Sequence, residues 1–497
     1  MKHFLRGTLA ALLAVYFLSA GPASAAGIKQ AFLVQNSGWM EPFYTDPGSQ
    51  FKPLVAAVAA ATTTAEDQVF TLAFSQSSAS NVSPVLLAKS QGVAEVAHQL
   101  ASLSVARKGS GTAMADTDFN EAISKTITSH FKAAPGILWI FTNNKNSPNN
   151  DVQTAERNRD FYRLLYLEPA ITKTLVFPLR MPVQGKIFAA KGLMVYALAY
   201  GASAADALDR IMAEGRLTAV LTDAPARLKP VDQDAVRIVP ERVKNLSGVR
   251  ASLGQDQRTL VLDVDASGLV PAVTLQASLE NLLYPHVIQQ AVVEATLLAG
   301  ADRSPISVNP AVVQALKPGA RQAVEVRFTL PMAQVPSAWS AQALSAMGKQ
   351  VLLPMTVELG LTGQQLMLSD DFSAKLQEIF PGDPISEVFT PPDSVRASRV
   401  RVPLLVRIQY PLLPVLVLMA GLLTLVAGLT GLGMLSRSSK RYEMAVDGLT
   451  RQVLLKPFTR LVIQNGAGQT VGEIKRSFGK PQVIRVETGH SVMFTGR

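Results

Sequence analysis

The stretch FLVQNSGWMEPFY, residues 32–44, decides how the rest of the chain is read. Its first three residues close an apolar run that begins near Ile28, and the chain turns polar at Gln35-Asn36-Ser37. An apolar run of that length bounded by turn-forming residues reads as a buried strand ending in a loop. Trp39, Phe43 and Tyr44 then crowd the loop top, and aromatic residues are the ones most enriched at interface hot spots.

Downstream, strand-like and helix-like stretches alternate. Phe51 to Thr64, Gly92 to Leu103, Asp116 to Phe131 and Asp151 to Tyr166 read as helices; Gln68 to Ser75, Gly136 to Thr142 and Ile171 to Leu179 read as strands. Such alternation predicts a doubly wound α/β domain over residues 26–230, with a parallel sheet covered on both faces. Ligands of these sheets sit at the carboxyl ends of the strands. Those ends fall at Gln35 and Thr142, with the loop KGSGTAMADTD, residues 108–118, leading into a helix beside them.

In sequence order, VQNSGWM, GSGTAMADTDFNEAI and ILWIFTNN resemble the three loops of a von Willebrand factor A domain. In that family an Asp-x-Ser-x-Ser loop, a Thr before a helix and an Asp after a central strand hold a divalent cation. Here Ser37 and Thr112 keep hydroxyls at the matching places, Gln35 and Asn143 replace the two acids, and Trp39 replaces the second Ser. A hard cation needs anionic oxygen, which amides do not supply. The resemblance therefore implies a degenerate site without metal or cofactor, binding a partner through Gln35, Ser37, Trp39, Thr112 and Asn143, with Phe43 and Tyr44 as further interface aromatics. Glu41, Asp116 and Asp118 are the nearby acids that could substitute as metal ligands.

From about Leu217 the pattern changes. RTLVLDVDA, AVTLQASLE, QAVVEATLLA, QAVEVRFTLP, QVLLPMTVELGL and RVRVPLLVRIQY follow one another with Gly, Pro, Asp and Ser between them, which predicts an all-β, immunoglobulin-like sandwich over residues 240–407. The insertion SDDFSAKLQEIFPGDPISEVF carries a helical stripe of Phe372, Leu376, Ile379 and Phe380, expected to cover a sandwich edge.

The two ends concern membranes. Lys2 and Arg6 precede the apolar run Thr8 to Ala20, and Ala23-Ser24-Ala25 completes the pattern of a signal peptide over residues 1–25. No charge occurs between Arg407 and Arg437, and an apolar span of this length predicts a transmembrane helix over residues 411–435. The basic cluster Arg437, Lys440 and Arg441 follows it, which places that side in the cytoplasm. The expected protein is thus single-pass in a bacterial inner membrane, its N-terminal part periplasmic.

The formal charge of +10 has the same origin. Residues 436–497 carry eleven Lys or Arg against four Asp or Glu, and Lys2 and Arg6 leave with the signal peptide, so about +1 remains elsewhere. The high pI therefore argues for membrane lipid beside the basic tail and against nucleic acid. The tail itself reads as about five short strands, a small β-rich domain over residues 436–497; its fragment GAGQTVG has the spacing of neither nucleotide fingerprint, and Asn465-Gly466 reads as a hairpin turn.

No cysteine and only five histidines occur, and no hydrolase, zinc or phosphate-loop motif is present. The expected function is a non-catalytic protein-binding or scaffold subunit with a protein partner in the periplasm or inner membrane. The alternative is a transmembrane signalling component that couples an external ligand to a cytoplasmic protein held by the tail.

Overall fold

The computed structural model describes residues 27–79, 81–108, 113–145, 152–244, 249–266, 272–337, 339–345, 350–382, 385–477 and 479–495, with backbone alone for 152–158 and 434–437. The expected signal peptide and Thr112 lie outside the described residues.

Strands dominate, at 45 % against 25 % helix. The first sheet holds β1 (Lys29–Gln35), β2 (Gln68–Phe74), β3 (Val85–Gln91), β4 (Gly136–Thr142), β5 (Ile171–Gln184), β6 (Ala189–Tyr200) and β7 (Ala226–Lys229), in the order β3-β2-β1-β4-β6-β5-β7. Only β2, β1 and β4 are mutually parallel, with Lys29 opposite both Gln68 and Gly136. The strands β3, β6, β5 and β7 each join antiparallel. The expected doubly wound parallel sheet is therefore incorrect. A parallel pair needs a crossover of a dozen or more residues, whereas β5 and β6 form one long hairpin whose turn, Gly185–Phe188, leaves room only for reversal.

Period-two alternation buries both faces of this sheet. Phe32 and Val34 point with Trp139 and Phe141 toward the helices Phe51–Thr62 and Ala202–Ala213. Ala31 and Leu33 point the other way, with Leu138 and Ile140, onto the helix Phe119–Lys125 and the side chains Phe161 and Leu165. That second face is completed from far along the chain. The helix Asp370–Ile379, the following Phe380 and the short helix Ile385–Phe389 lay Phe372, Leu376, Ile379, Phe380, Val388 and Phe389 against it. The stripe expected to cover a sandwich edge instead belongs to the first sheet's core. Gly192 on β6 permits the contact, because a Cβ there would stand 2.1 Å from Ile379 Cγ2. The Tyr166 hydroxyl adds a hydrogen bond to the Val388 carbonyl at 3.0 Å.

The second sheet is a single continuous one of ten strands, β8 (Val236–Val243), β9 (Arg250–Leu253), β10 (Leu260–Asp265), β11 (Ala272–Asn281), β12 (His286–Ala299), β13 (Asp302–Asn309), β14 (Val312–Leu316), β15 (Arg321–Thr329), β16 (Gln350–Leu368) and β17 (Ser398–Gln409). It runs β8-β11-β15-β13-β12-β16-β17-β10-β9, with β14 paired to β12, and curls so that it nearly closes as a barrel. The expected immunoglobulin-like sandwich is thus also incorrect. Strands as long as the 19 residues of β16 and the 14 of β12 bend around the curve and pair on both edges, which two short packed sheets do not require.

The helix Leu413–Arg437 follows. Its segment Leu413–Gly433 has a mean hydropathy of 2.3 and is long and apolar enough to cross a membrane. After it come two three-stranded sheets, β18 (Lys440–Val446), β19 (Leu449–Leu455) and β23 (Val492–Phe494), and β20 (Thr459–Gln464), β21 (Thr470–Arg476) and β22 (Gln482–Val486). Met444, Val446, Leu455, Ile463, Val471, Ile474 and Val492 form their core. Residues 465–469, the expected turn, join β20 to β21, with Gln469 N and Ala467 N donating to Asn465 Oδ1 at 3.0 Å.

Candidate functional site

Because β2, β1 and β4 run parallel, their carboxyl ends meet at one edge of the first sheet. Gln35 ends β1 there and is fully buried. Its side-chain oxygen accepts a hydrogen bond from the Thr142 hydroxyl. Its amide nitrogen donates to Thr117 Oγ1 at 2.7 Å, Ser37 Oγ at 2.8 Å and the Lys145 carbonyl at 3.2 Å. The Thr117 hydroxyl donates in turn to Ser37 Oγ at 2.8 Å.

The loop before the helix Phe119–Lys125 is fastened into place by backbone bonds. Gly38 N donates to Ala115 O at 2.8 Å, and Gln76 N to Asp116 O at 2.8 Å. A Cβ on Gly38 would come within 2.5 Å of Met114 Cβ, so glycine allows this approach. The hydroxyl delivered by the loop is that of Thr117, which the sequence reading passed over for Thr112. Its signal was available, since Thr117 directly precedes Asp118, whose carboxylate caps the helix by accepting from Glu121 N at 2.9 Å.

The geometry gives the Gln35 amide a specific role. Three oxygens surround its nitrogen, an arrangement that otherwise suits a cation, and the amide answers them with partial positive charge and two hydrogens. A buried network satisfied in this way is rigid and neutral. Among the described residues its hydrogen-bond partners are hydroxyls and a backbone carbonyl.

Asn143 is buried beside the network and donates to the Trp39 carbonyl at 2.5 Å. The acids that could have substituted as metal ligands are engaged elsewhere. Glu41 accepts from Lys186 N at 3.0 Å and from the Thr45 hydroxyl, Asp116 pairs with Lys108 at 2.6 Å, and Asp118 serves as the helix cap. Among the described residues no group of three or more His, Asp or Glu is gathered to hold a metal ion.

The three aromatics separate. Phe43 is core, packed on Phe51 with ring centroids 5.7 Å apart, and so is not an interface residue. Tyr44 is partly buried; burial pushes its phenol well above the usual value, and the hydroxyl donates to the Gln35 carbonyl at 2.9 Å. It locks the loop to β1 rather than presenting a ring. Trp39 alone lines an open groove of about 320 Å³, with Met114, Ile187 and Phe188. Its ring meets Phe188 edge-on at 5.1 Å and carries Lys145 Nζ at 5.3 Å, while its indole nitrogen is buried without an acceptor among the described residues. Ile187, at the hairpin tip, is 67 % exposed. The sequence reading missed this apolar pair, whose signal is Ile187-Phe188 directly after Gly185-Lys186.

Neither a scan against models of known protein families nor a search of the curated proteins finds a match to this chain.

Proposed function

We propose that this chain is a non-catalytic binding subunit that captures a protein partner in the groove between Trp39 and the hairpin tip Ile187-Phe188, without a metal ion. In this reading the helix Leu413–Gly433 anchors it in a bacterial inner membrane, with the two large sheets in the periplasm and the basic tail in the cytoplasm. The observation that carries the reading is the open apolar groove itself, in which Trp39 lies beside Phe188 and the hairpin-tip residue Ile187.

The test is capture of envelope proteins by the full chain and its variants. Trp39→Ala weakens capture by roughly thirtyfold, the cost of truncating an aromatic hot spot, and Phe188→Ala weakens it as well. Trp39→Phe keeps an aromatic ring in the groove with less apolar area, so it falls between. If the Trp39→Ala chain unfolds, or if it folds and captures as much as the parent, the groove is not the binding site. For the topology, protease added to intact spheroplasts should leave only a fragment containing the membrane helix and tail. Digestion of the tail instead would invert the assignment.

The tail favours a second reading, that of a transmembrane signalling component, because it is a folded unit with its own core. A soluble partner held by the tail and released by an external ligand would support that reading over a scaffold.

A further inference from the structure

The tail is polarised along its strands. Lys440 begins β18 three positions after Arg437, the last residue of the apolar helix, and pairs with Leu455 at the end of β19. The turn Lys456–Phe458 therefore lies at the end of the domain from which the membrane helix emerges. Thr459, directly after it, pairs with Arg476, which brings the connection from β21 to β22, with Lys480, to the same end. The buried Arg476 joins these parts, its guanidinium donating to the Leu455 carbonyl at 2.7 Å and the Ser438 carbonyl at 3.3 Å.

This end is basic and apolar. Lys440, Arg441, Lys456 and Lys480 are exposed, and Leu454 and Phe458 are 58 % and 56 % exposed. Phe458 sits at a φ of 59°, where a turn serving connection alone takes Gly or Asn. Two of the tail's four acids lie at the opposite end: Asp447 follows β18 and is held to His490 at 2.7 Å, and Glu487 follows β22. A third, Glu473, lies within 3.8 Å of Arg460.

We propose that the helix-proximal end of the tail docks on an anionic lipid surface, with Phe458 and Leu454 entering the headgroup region and Lys440, Arg441, Lys456 and Lys480 against the phosphates. Charge complementarity and the two-residue tether both select this occupant. A domain held that close to a bilayer cannot keep these groups away from it, and basic residues near an anionic leaflet are attracted within a Debye length. The proposal rests on the helix Leu413–Gly433 crossing the membrane.

The chain contains no cysteine, so single cysteines can report on depth in the full protein. Phe458→Cys, Leu454→Cys and, at the far end, Leu449→Cys are each labelled with an environment-sensitive dye in nanodiscs carrying brominated lipid chains. With phosphatidylglycerol present, the dye at 458 and 454 is blue-shifted and quenched, and the dye at 449 is not. In phosphatidylcholine alone the difference collapses. Adding Lys456→Gln and Lys480→Gln weakens docking about fivefold for each charge removed. Equal quenching at 458, 454 and 449, or quenching indifferent to lipid charge, overturns the proposal. Both faces of a nanodisc are open, so an inverted orientation leaves this readout unchanged and shows instead as labelling of position 458 by an impermeant maleimide in intact spheroplasts.

Discussion

The Gln35 side chain donates to Thr117 Oγ1 across 82 positions of sequence at 2.7 Å, tying the end of the central strand to the loop that starts the helix Phe119–Lys125. Both residues are fully buried and neutral. The bond makes the polar edge of the sheet a closed structural network that supports the neighbouring loop carrying Trp39.

Gln35→Glu tests that role with almost no change of shape. A carboxylate has no hydrogens for Ser37, Thr117 and the Lys145 carbonyl, and it brings an uncompensated charge into a buried site. The variant should lose about 1–3 kcal/mol of stability in urea unfolding, the cost of a buried unsatisfied group. A variant as stable as the parent would mean that the amide nitrogen is not what holds the three oxygens.

Divalent cations should have no effect on the parent protein. The Gln35 nitrogen already fills the space between the oxygens, so millimolar Mg²⁺, Mn²⁺ or Ca²⁺ should leave the melting temperature unchanged. A cation present at a hundred times its Kd would add about 2.7 kcal/mol. A saturable rise in melting temperature would show that Glu41, Asp116 or Asp118 has become a ligand.

Gly192→Ala should separate the late helix from the first sheet. The added methyl overlaps Ile379 and also stands 2.9 Å from the Ile379 carbonyl oxygen, so the helix Asp370–Ile379 must shift. Overpacking of this kind costs about 1–3 kcal/mol. Combining it with Ile379→Ala removes the Cγ2 overlap and leaves that with the carbonyl oxygen, so the two changes should cost less together than their sum. Strict additivity would argue that the contact is not made.

Acid should weaken the same attachment through His286. This residue is fully buried, and its Nε2 is 2.8 Å from the Phe389 carbonyl. Burial, with Arg227 nearby, holds its pKa below the ordinary value of about 6.5. The unfolded chain then binds the proton more readily than the folded one, so the contribution is whole above about pH 6.5 and is lost as pH falls through the folded-state value. Urea midpoints measured from pH 8 to 5 should decline below about pH 6.5, and His286→Gln should flatten that decline. A parent and variant with the same pH slope would place the sensitivity elsewhere.

The strands β1 and β4, the helix Phe51–Thr62, the apolar membrane-length helix and the β-rich tail were legible because each depends on neighbours in sequence. Hydrophobic periodicity, helix-forming runs and hairpin residues act over a few positions, and an apolar span is long enough or it is not. Local signals also placed Gln35, Ser37 and Asn143 at strand ends, where the structure gathers Gln35 and Ser37 into the network and sets Asn143 beside it. Strand direction was decided at longer range. The alternation of strand and helix does not say whether a strand returns parallel or antiparallel, and the reversal at Gly185–Phe188 made the sheet mixed. The same reversal supplied Ile187 and Phe188 to the groove. Burial of Phe43 and the docking of Phe372 and Phe389 onto a sheet that ends at Lys229 likewise depend on packing between distant segments. An apolar side chain records only that it leaves water; which surface receives it is fixed when the sheets close and the remaining volume is filled.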